Sequence, residues 1–142
     1  IEKASQMGIT PREAVILASI IEKEASLSEE KPLVSAVFHN RLKRRIPLQS
    51  DPTVIYGISN FDGNLTKEHL LTPTPYNTYL ILGLPPTPIC NPGKESIVAA
   101  LHPDSAPYLY FVSKNDGSHH FSESFEEHQR AVGKYQKTLL RK

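Results

Sequence analysis

The sequence predicts an α+β fold in which helices dominate and one small antiparallel β element follows late in the chain. Apolar residues recur at helical spacing over residues 10–25 and 29–44, and again at the end of the chain. Residues 108–112 alternate and are aromatic, which is typical of a strand. The Asn-Asp-Gly triplet at 115–117 supplies a turn that leads to a partner strand over residues 118–122.

The first helical pattern carries two carboxylates near its end. Thr10 and Glu13 form a capping box at its start, and its apolar stripe consists of Ala14, Leu17, Ala18, Ile21 and Ala25. On a helical wheel Glu24 lies roughly 60° from the centre of the stripe, and Glu22 lies roughly 100° away on the other flank. We therefore expect Glu24 to be partly buried, which would raise its pKa towards the range of a general acid. The alternative is that both carboxylates are solvated.

The second helical pattern ends in a basic run at residues 41–45. The helix dipole favours cations at this position, but such a run also suits an acidic polymer, and both interpretations stay open. The formal net charge of the chain is only +1, and the run lacks interleaved aromatic rings. We therefore expect no nucleic-acid partner.

The composition excludes several kinds of site. The 142 residues suit one domain and include a single cysteine, Cys90, so neither an internal disulfide nor a multi-cysteine metal site can form. There is no glycine-rich phosphate loop and no His-Glu-x-x-His motif. His119 and His120 would point to opposite faces of a strand and could not easily share a metal. We expect neither a metal nor an organic cofactor.

Polar and aromatic side chains are concentrated in the loops between residues 46 and 93. Candidate ligand contacts are Gln49, Ser50, Asp51, Thr53, Tyr56, Tyr76, Asn77, Tyr79 and Asn91. Rings stack on the flat faces of sugars, and amides and hydroxyls hydrogen-bond to sugar hydroxyls, so this set suits a carbohydrate cleft. Helix capping is an equal alternative for Asp51 and Thr53, and the other residues could equally hold the loops in shape.

These features together predict one groove, with Glu24 at its base and Glu22 outside it. The segment at residues 83–93 is too rich in proline for a helix or a central strand. A long ordered loop of this kind is more often functional than not. We therefore expect residues 83–93 to border the same groove as residues 49–53.

The final helical pattern begins at a second capping box, Ser124 with Glu127. Its stripe consists of Phe125, His128, Val132, Tyr135 and Leu139. His128 is interpreted as a packed, hydrogen-bonded histidine rather than as a ligand.

An ordered set of short motifs, spread over nearly the whole chain, resembles the YceG-like endolytic murein transglycosylases. Each motif alone is weak, but the ordered set is specific. It comprises Ala18-Ser-Ile-Ile-Glu-Lys-Glu24, Val37-Phe-x-Asn-Arg-Leu42, Leu48-Gln-Ser-Asp-Pro-Thr-Val-Ile-Tyr-Gly57, Thr74-Pro-Tyr-Asn-Thr-Tyr79, Gly83-Leu-Pro-Pro86, Asn91-Pro-Gly93, Ala99-Ala-Leu-His-Pro103, Tyr108-Leu-Tyr-Phe-Val112, His119-x-Phe121 and His128.

The resemblance implies a lyase that cleaves the MurNAc–GlcNAc β-1,4 linkage inside nascent peptidoglycan strands and leaves 1,6-anhydro-MurNAc ends. The family's catalytic residue is the second Glu of its Glu-Lys-Glu motif, which is Glu24 here. The resemblance also implies a lysozyme-like helical core, with residues 1–142 as a single catalytic domain of a longer protein. That protein would carry a LysM-like domain and an N-terminal anchor that crosses the inner (cytoplasmic) membrane once. This domain would then face the periplasm or the extracytoplasmic space.

Two other functions stay open at this point. A lysozyme-like hydrolase would need a second carboxylate, for which Asp51 and Glu22 are the candidates, whereas a lytic enzyme needs only one. A peptidoglycan-binding module without catalysis would use the same rings and amides. In each case peptidoglycan glycan strands are the expected partner, and cell-wall synthases are a further expected partner of the full-length protein.

Overall fold

The computed structural model describes residues 2–140, with side chains described for residues 4–135. Within these residues the predicted α+β fold is confirmed, and α1 is a helix that the sequence did not predict. The elements follow in the order α1 (Glu2–Gln6), α2 (Pro11–Glu24), a 3₁₀ turn (Ser28–Glu30), α3 (Lys31–Arg44), α4 (Asp51–Tyr56), α5 (Lys67–Leu71), α6 (Lys94–Leu101), β1 (Tyr110–Ser113), β2 (His119–Ser122) and α7 (Phe125–Leu140).

Helix α2 is the central element of the core. The predicted capping box is present, because the Glu13 amide donates to Thr10 Oγ1 at 3.0 Å and the Thr10 amide donates to Glu13 Oε1 at 2.8 Å. Helices α3 and α6 pack against α2. Leu17 and Ile21 of α2 and Val34 of α3 have no exposed surface. This packing holds the C-terminal end of α2, and with it Glu24, in a fixed place.

Helix α3 fixes the segment that leads into the β element. His39 Nε2 lies 2.8 Å from the Ala100 carbonyl. The Asn40 amide donates to the Ala106 and Tyr108 carbonyls at 3.0 and 2.9 Å. Partners more than 60 residues away along the chain are thus brought against one helix.

The basic run at the end of α3 is divided by the fold. Arg41 is buried, with 6% of its surface exposed, whereas Lys43, Arg44 and Arg45 are exposed. Arg45 ends the helix in the left-handed conformation, with φ 59°. The helix-dipole interpretation therefore suits the exposed cations, and Arg41 needs a separate explanation.

Strands β1 and β2 form an antiparallel pair in which Phe111 faces Phe121 and Val112 faces His120. Helix α7 packs against both strands. The Glu127 amide donates to Ser124 Oγ at 3.2 Å, which is the backbone half of the predicted capping box. The side chain of Leu139, predicted on the α7 stripe, lies outside the described residues. None of the described helices is long and apolar enough to span a bilayer.

Candidate active site

An open cavity of about 380 Å³ lies where the end of α2, the middle of α3, the start of α4 and the β element meet. Its lining consists of Glu24, Val37, Phe38, Arg41, Leu48, Gln49, Asp51, Tyr79, Phe111, Val112, Ser113, His119 and His128. Apolar and aromatic side chains such as Val37, Phe38 and Phe111 form part of the wall around Glu24, but charged and polar side chains form much of the rest, so the apolar wall that the sequence predicted is present only in part.

The carboxyl group of Glu24 is the most strongly perturbed acid of this cavity. Burial, followed by the charge of Asp51, raises its pKa from an ordinary 4.5 to about 8, although a hydrogen bond with the Ser50 hydroxyl opposes part of this rise. The residue keeps intermediate exposure because one side opens on the cavity, while the surrounding protein desolvates the ionised form. Glu24 is therefore mostly protonated at neutral pH.

The Ser50 side chain interacts with Glu24 and does not line the cavity. Ser50 is fully buried, and its amide donates to Thr78 Oγ1 at 2.8 Å. Apart from its interaction with Glu24, the Ser50 hydroxyl has no hydrogen-bond partner among the described residues. Its position gives the catalytic candidate one polar neighbour, so Ser50 is a positioning residue and not the ligand contact that the sequence suggested.

Asp51 and Tyr79 form a pair beside Glu24. The Tyr79 hydroxyl donates to Asp51 Oδ1 at 2.6 Å. Asp51 is the first residue of α4 and Ser50 is the N-cap, so the alternative that Asp51 caps this helix is wrong. Gln49 lies next to this pair in the left-handed conformation, at φ 53°, a strained backbone of the kind that clusters at functional sites. Gln49, Asp51 and Tyr79 thus reach the cavity as predicted.

Glu22 lies outside the cavity, as the helical wheel predicted. Its Oε1 accepts hydrogen bonds from the Gly93 amide at 2.9 Å and from Ser96 Oγ at 2.8 Å, and it lies 3.8 Å from Lys31 Nζ. These hydrogen bonds, foremost that of Gly93, hold the pKa of Glu22 below its usual value. The Glu22 side chain is an anion that these partners already bind, and it lies outside the cavity. The suggestion that it supplies the second carboxylate of a hydrolase is therefore wrong.

The proline-rich segment contradicts the prediction that it borders the groove. Its Ile89 amide donates to Ser19 Oγ at 3.0 Å, and Cys90 Sγ donates to the Ser19 carbonyl at 3.3 Å. With Gly93 bound to Glu22, the segment follows the flank of α2 that carries Glu22, and none of its residues lines the cavity around Glu24. Sequence alone gave no means to choose between the two flanks.

Several predicted ligand contacts are structural instead. Thr53 and Asn77 are fully buried. The Thr53 hydroxyl donates to the Ser50 carbonyl at 2.8 Å, and the Asn77 amide donates to the carbonyls of Leu70 and Thr72. Side chains without exposed surface cannot touch a ligand, so both predictions of substrate contact are corrected.

Three further candidates lie away from the cavity. Tyr56 packs against Tyr76, with ring centroids 4.9 Å apart, and the Tyr76 hydroxyl lies 2.8 Å from Thr87 Oγ1. Asn91 is exposed in the proline-rich segment. None of the three lines the cavity, so they do not share the site of Glu24 as the sequence suggested.

Strand β2 and helix α7 each bring a histidine to the cavity that was not predicted there, His119 and His128. His119 Nδ1 lies 2.8 Å from Glu30 Oε1, and the His119 amide donates to Glu30 Oε2 at 3.0 Å. His128 stacks on Tyr110, with centroids 5.0 Å apart, but its buried Nδ1 has no hydrogen-bond partner among the described residues. The interpretation of His128 as a packed histidine agrees with this stacking, but within the part of the chain that the structure describes the hydrogen bond expected for it is absent at Nδ1. One sequence signal could have placed both histidines at the site: the His119-x-Phe121 motif and His128 both belong to the set of motifs that carries the family resemblance.

Comparisons with known proteins agree on one family. The YceG-like family profile matches residues 1–134. An endolytic murein transglycosylase of Bacillus subtilis strain 168 is 41% identical over 127 residues, which cover 89% of this chain and 35% of the relative. One of Streptococcus pneumoniae strain D39 is 31% identical over 138 residues, which cover 93% of this chain and 25% of the relative.

A crystal structure of a yceG-like protein from Listeria monocytogenes has the same fold, with a TM-score of 0.82 at 37% sequence identity. The match covers 91% of this chain and 41% of that structure. The chain spans only 25–35% of the length of the two curated relatives named above. The family profile, both relatives and the solved structure lead to the same conclusion: the chain belongs to the YceG-like family.

Proposed function

We propose that this chain is the catalytic domain of an endolytic murein transglycosylase, which cleaves MurNAc–GlcNAc β-1,4 linkages and leaves 1,6-anhydro-MurNAc ends. One observation carries the proposal: Glu24, with a pKa of about 8, lies in an open cavity of about 380 Å³. A carboxyl group that holds its proton at neutral pH can donate it to a glycosidic oxygen.

In the first step Glu24 protonates the leaving O4 of GlcNAc, and the C1–O4 bond of MurNAc breaks. Positive charge develops on C1 and the ring oxygen of MurNAc. The ionised Glu24, the Asp51 carboxylate and the Tyr79 hydroxyl dipole line this part of the cavity and stabilise that charge. In the second step Glu24 takes the proton of the MurNAc O6 hydroxyl while O6 bonds to C1. One carboxyl group thus acts as acid and then as base.

A hydrolase is the second candidate function, because Asp51 could supply the second carboxylate that a hydrolase needs. Asp51 lines the same cavity, and its charge acts on Glu24, as a hydrolase's second carboxylate would. It also accepts a hydrogen bond from Tyr79, which lowers its availability as a nucleophile or base. We therefore favour the lytic route, in which Asp51 stays an electrostatic neighbour.

Mass spectrometry of the products separates these possibilities. Purified glycan strands incubated with the protein should yield anhydro ends, whereas hydrolysis would yield ends heavier by one water. Binding without new chain ends would instead favour a module that only binds peptidoglycan.

Glu24→Gln should lower the rate of anhydro-end formation by at least about 10²–10⁴-fold, the usual contribution of general acid–base catalysis. Gln keeps the size of Glu and can still donate a hydrogen bond, so glycan binding should persist. Glu22→Gln is the matched control on the same helix, and it should retain most activity because Glu22 lies outside the cavity. A dead Glu22→Gln beside an active Glu24→Gln would reverse the assignment.

The longer protein is proposed to be held in the inner membrane by a single N-terminal helix, with this domain on the outer side. The support is the family resemblance and the fact that this chain spans only part of its relatives. Cell-wall synthases are the proposed partners there, since they supply new glycan strands. Protease accessibility of the full-length protein in spheroplasts tests the orientation.

A further inference from the structure

Arg41 is the buried cation of the cavity that holds Glu24. Its Nε donates to the Leu109 carbonyl and its Nη1 to the Pro47 carbonyl, both at 2.7 Å. A guanidinium has five N–H donors, and Nη2 makes no hydrogen bond with any residue whose side chain the structure describes. Because Arg41 lines the cavity, the unbonded donors of Nη2 are available to a ligand there.

No carboxylate in the described part of the chain lies within 4.0 Å of this guanidinium. The carboxylates around the cavity are otherwise engaged: Glu24 is protonated, Asp51 accepts from Tyr79, and Glu30 is bound to His119. The guanidinium carbon lies 5.0 Å from the centroid of the Tyr110 ring, which offsets part of the desolvation cost. A buried charge without a counter-ion is otherwise expensive to keep.

The charge of Arg41 is not used to tune Glu24. It acts on Tyr79 and His128, but the charge that acts on Glu24 is that of Asp51. Burial, followed by the charge of Arg41, lowers the pKa of His128, so that imidazole is neutral at pH 7. Arg41 thus supplies a positive charge to the cavity without being one of the groups that shift the pKa of the proton donor.

We propose that Arg41 is a carboxylate-binding subsite, which holds a carboxylate of the glycan substrate while Glu24 acts on the glycosidic bond. The inference rests on the proposed function and adds to it an acidic recognition element. The planar donors of a guanidinium match the two oxygens of a carboxylate. Such a carboxylate has two sources in peptidoglycan: the lactyl group of a muramic acid without a peptide, or the peptide stem.

Binding by the Glu24→Gln variant tests the subsite without turnover. Isothermal titration calorimetry measures the affinity of this variant for two pairs of glycan strands. The first pair is peptide-free strands and their lactyl methyl esters, and the second pair is strands that carry peptide stems and the methyl esters of those stems. A charge-assisted hydrogen bond contributes about 1.5–3 kcal/mol, so the acid should bind roughly 10- to 100-fold more tightly than its ester. The pair that shows the preference identifies the source of the carboxylate.

Adding Arg41→Met should remove the preference while affinity for the esters stays the same. Arg44→Met is the matched control, because Arg44 is an exposed cation of the same helix, and it should leave the preference intact. Arg41→Met also loses the bonds to Leu109 and Pro47, so its melting temperature is measured first. If it fails to fold, the acid-to-ester ratio in the protein with Arg41 intact decides alone.

Equal affinity for acid and ester in both pairs would overturn the proposal, and so would a preference that survives in a folded Arg41→Met variant. The proposed function fails separately. If the wild-type protein cleaves glycan strands but shows no preference for acid over ester, the proposed function is supported and the Arg41 subsite is refuted. If the preference depends on Arg41 but the wild-type protein does not cleave, the subsite is supported and the proposed function is refuted.

Discussion

The raised pKa of Glu24 makes a measurable prediction about stability. A group whose folded pKa is raised contributes stability that is fully present below the unfolded pKa and is lost as pH rises through the folded pKa. For Glu24 that window runs from 4.5 to about 8. Replacing Glu24 with Gln removes the titration, so the variant should gain stability relative to the wild type as pH rises through this window.

The magnitude follows from the size of the shift. One pKa unit corresponds to about 1.4 kcal/mol, so a shift from 4.5 to about 8 changes the relative free energy of unfolding by about 4 kcal/mol between pH 5 and pH 9. Urea unfolding of both proteins at intervals across this range, followed by circular dichroism, gives the difference at each pH. Subtracting wild type from variant cancels the titration of the rest of the chain to first order.

Glu22→Gln provides a control of opposite sign. The pKa of Glu22 is lowered in the folded state, so its contribution is present above the unfolded pKa and is lost as pH falls through the folded pKa. The Gln variant should therefore be less stable at neutral pH, and the deficit should shrink in acid. A Glu24→Gln difference that stays constant from pH 5 to pH 9 would mean that Glu24 ionises normally, and the acid role would lose its physical basis.

Three further outcomes are expected. The rate of anhydro-end formation should fall as pH rises through about 8, because Glu24 must carry the proton; a pH–rate profile that stays flat to pH 10 would contradict this. Phe38→Ala should lower the free energy of unfolding by about 3–5 kcal/mol, because Phe38 is 1% exposed and its ring centroid lies 5.8 Å from that of Phe111. A loss below 1 kcal/mol in urea unfolding would show that the core is packed more loosely. Asn77→Ala should lower the free energy of unfolding by about 1–3 kcal/mol, because it leaves the carbonyls of Leu70 and Thr72 without their donor. An unchanged melting temperature would refute that role.

Local sequence determined most of the elements, although not α1, and it determined the register of α2. The capping box at Thr10 and Glu13 sets where the helix starts, and the 3.6-residue period then places Glu24 and Glu22 on different flanks. The strand pair follows in the same way from alternation and the Asn-Asp-Gly turn. These features depend on neighbours within a few residues, so a single sequence contains the information.

Only the tertiary structure decided what surrounds each flank. The segment that ends at Gly93 binds Glu22, 71 residues away along the chain, rather than bordering the groove of Glu24. His119 reaches the cavity through Glu30, 89 residues away. Such contacts depend on how loops close in space, and proline-rich composition does not specify which face of a helix a loop covers.

The chemistry of the site divides in the same way. The sequence identified a carboxyl group near an apolar stripe, which is a local property of one helix. Its pKa depends on desolvation by the whole cavity wall and on Asp51, which another helix supplies. Arg41 shows the limit most clearly, because the basic run looked uniform in sequence, yet the packing of α3 buries one cation and leaves Lys43, Arg44 and Arg45 in solvent. Burial is a sum over distant contacts, and only the folded chain provides it.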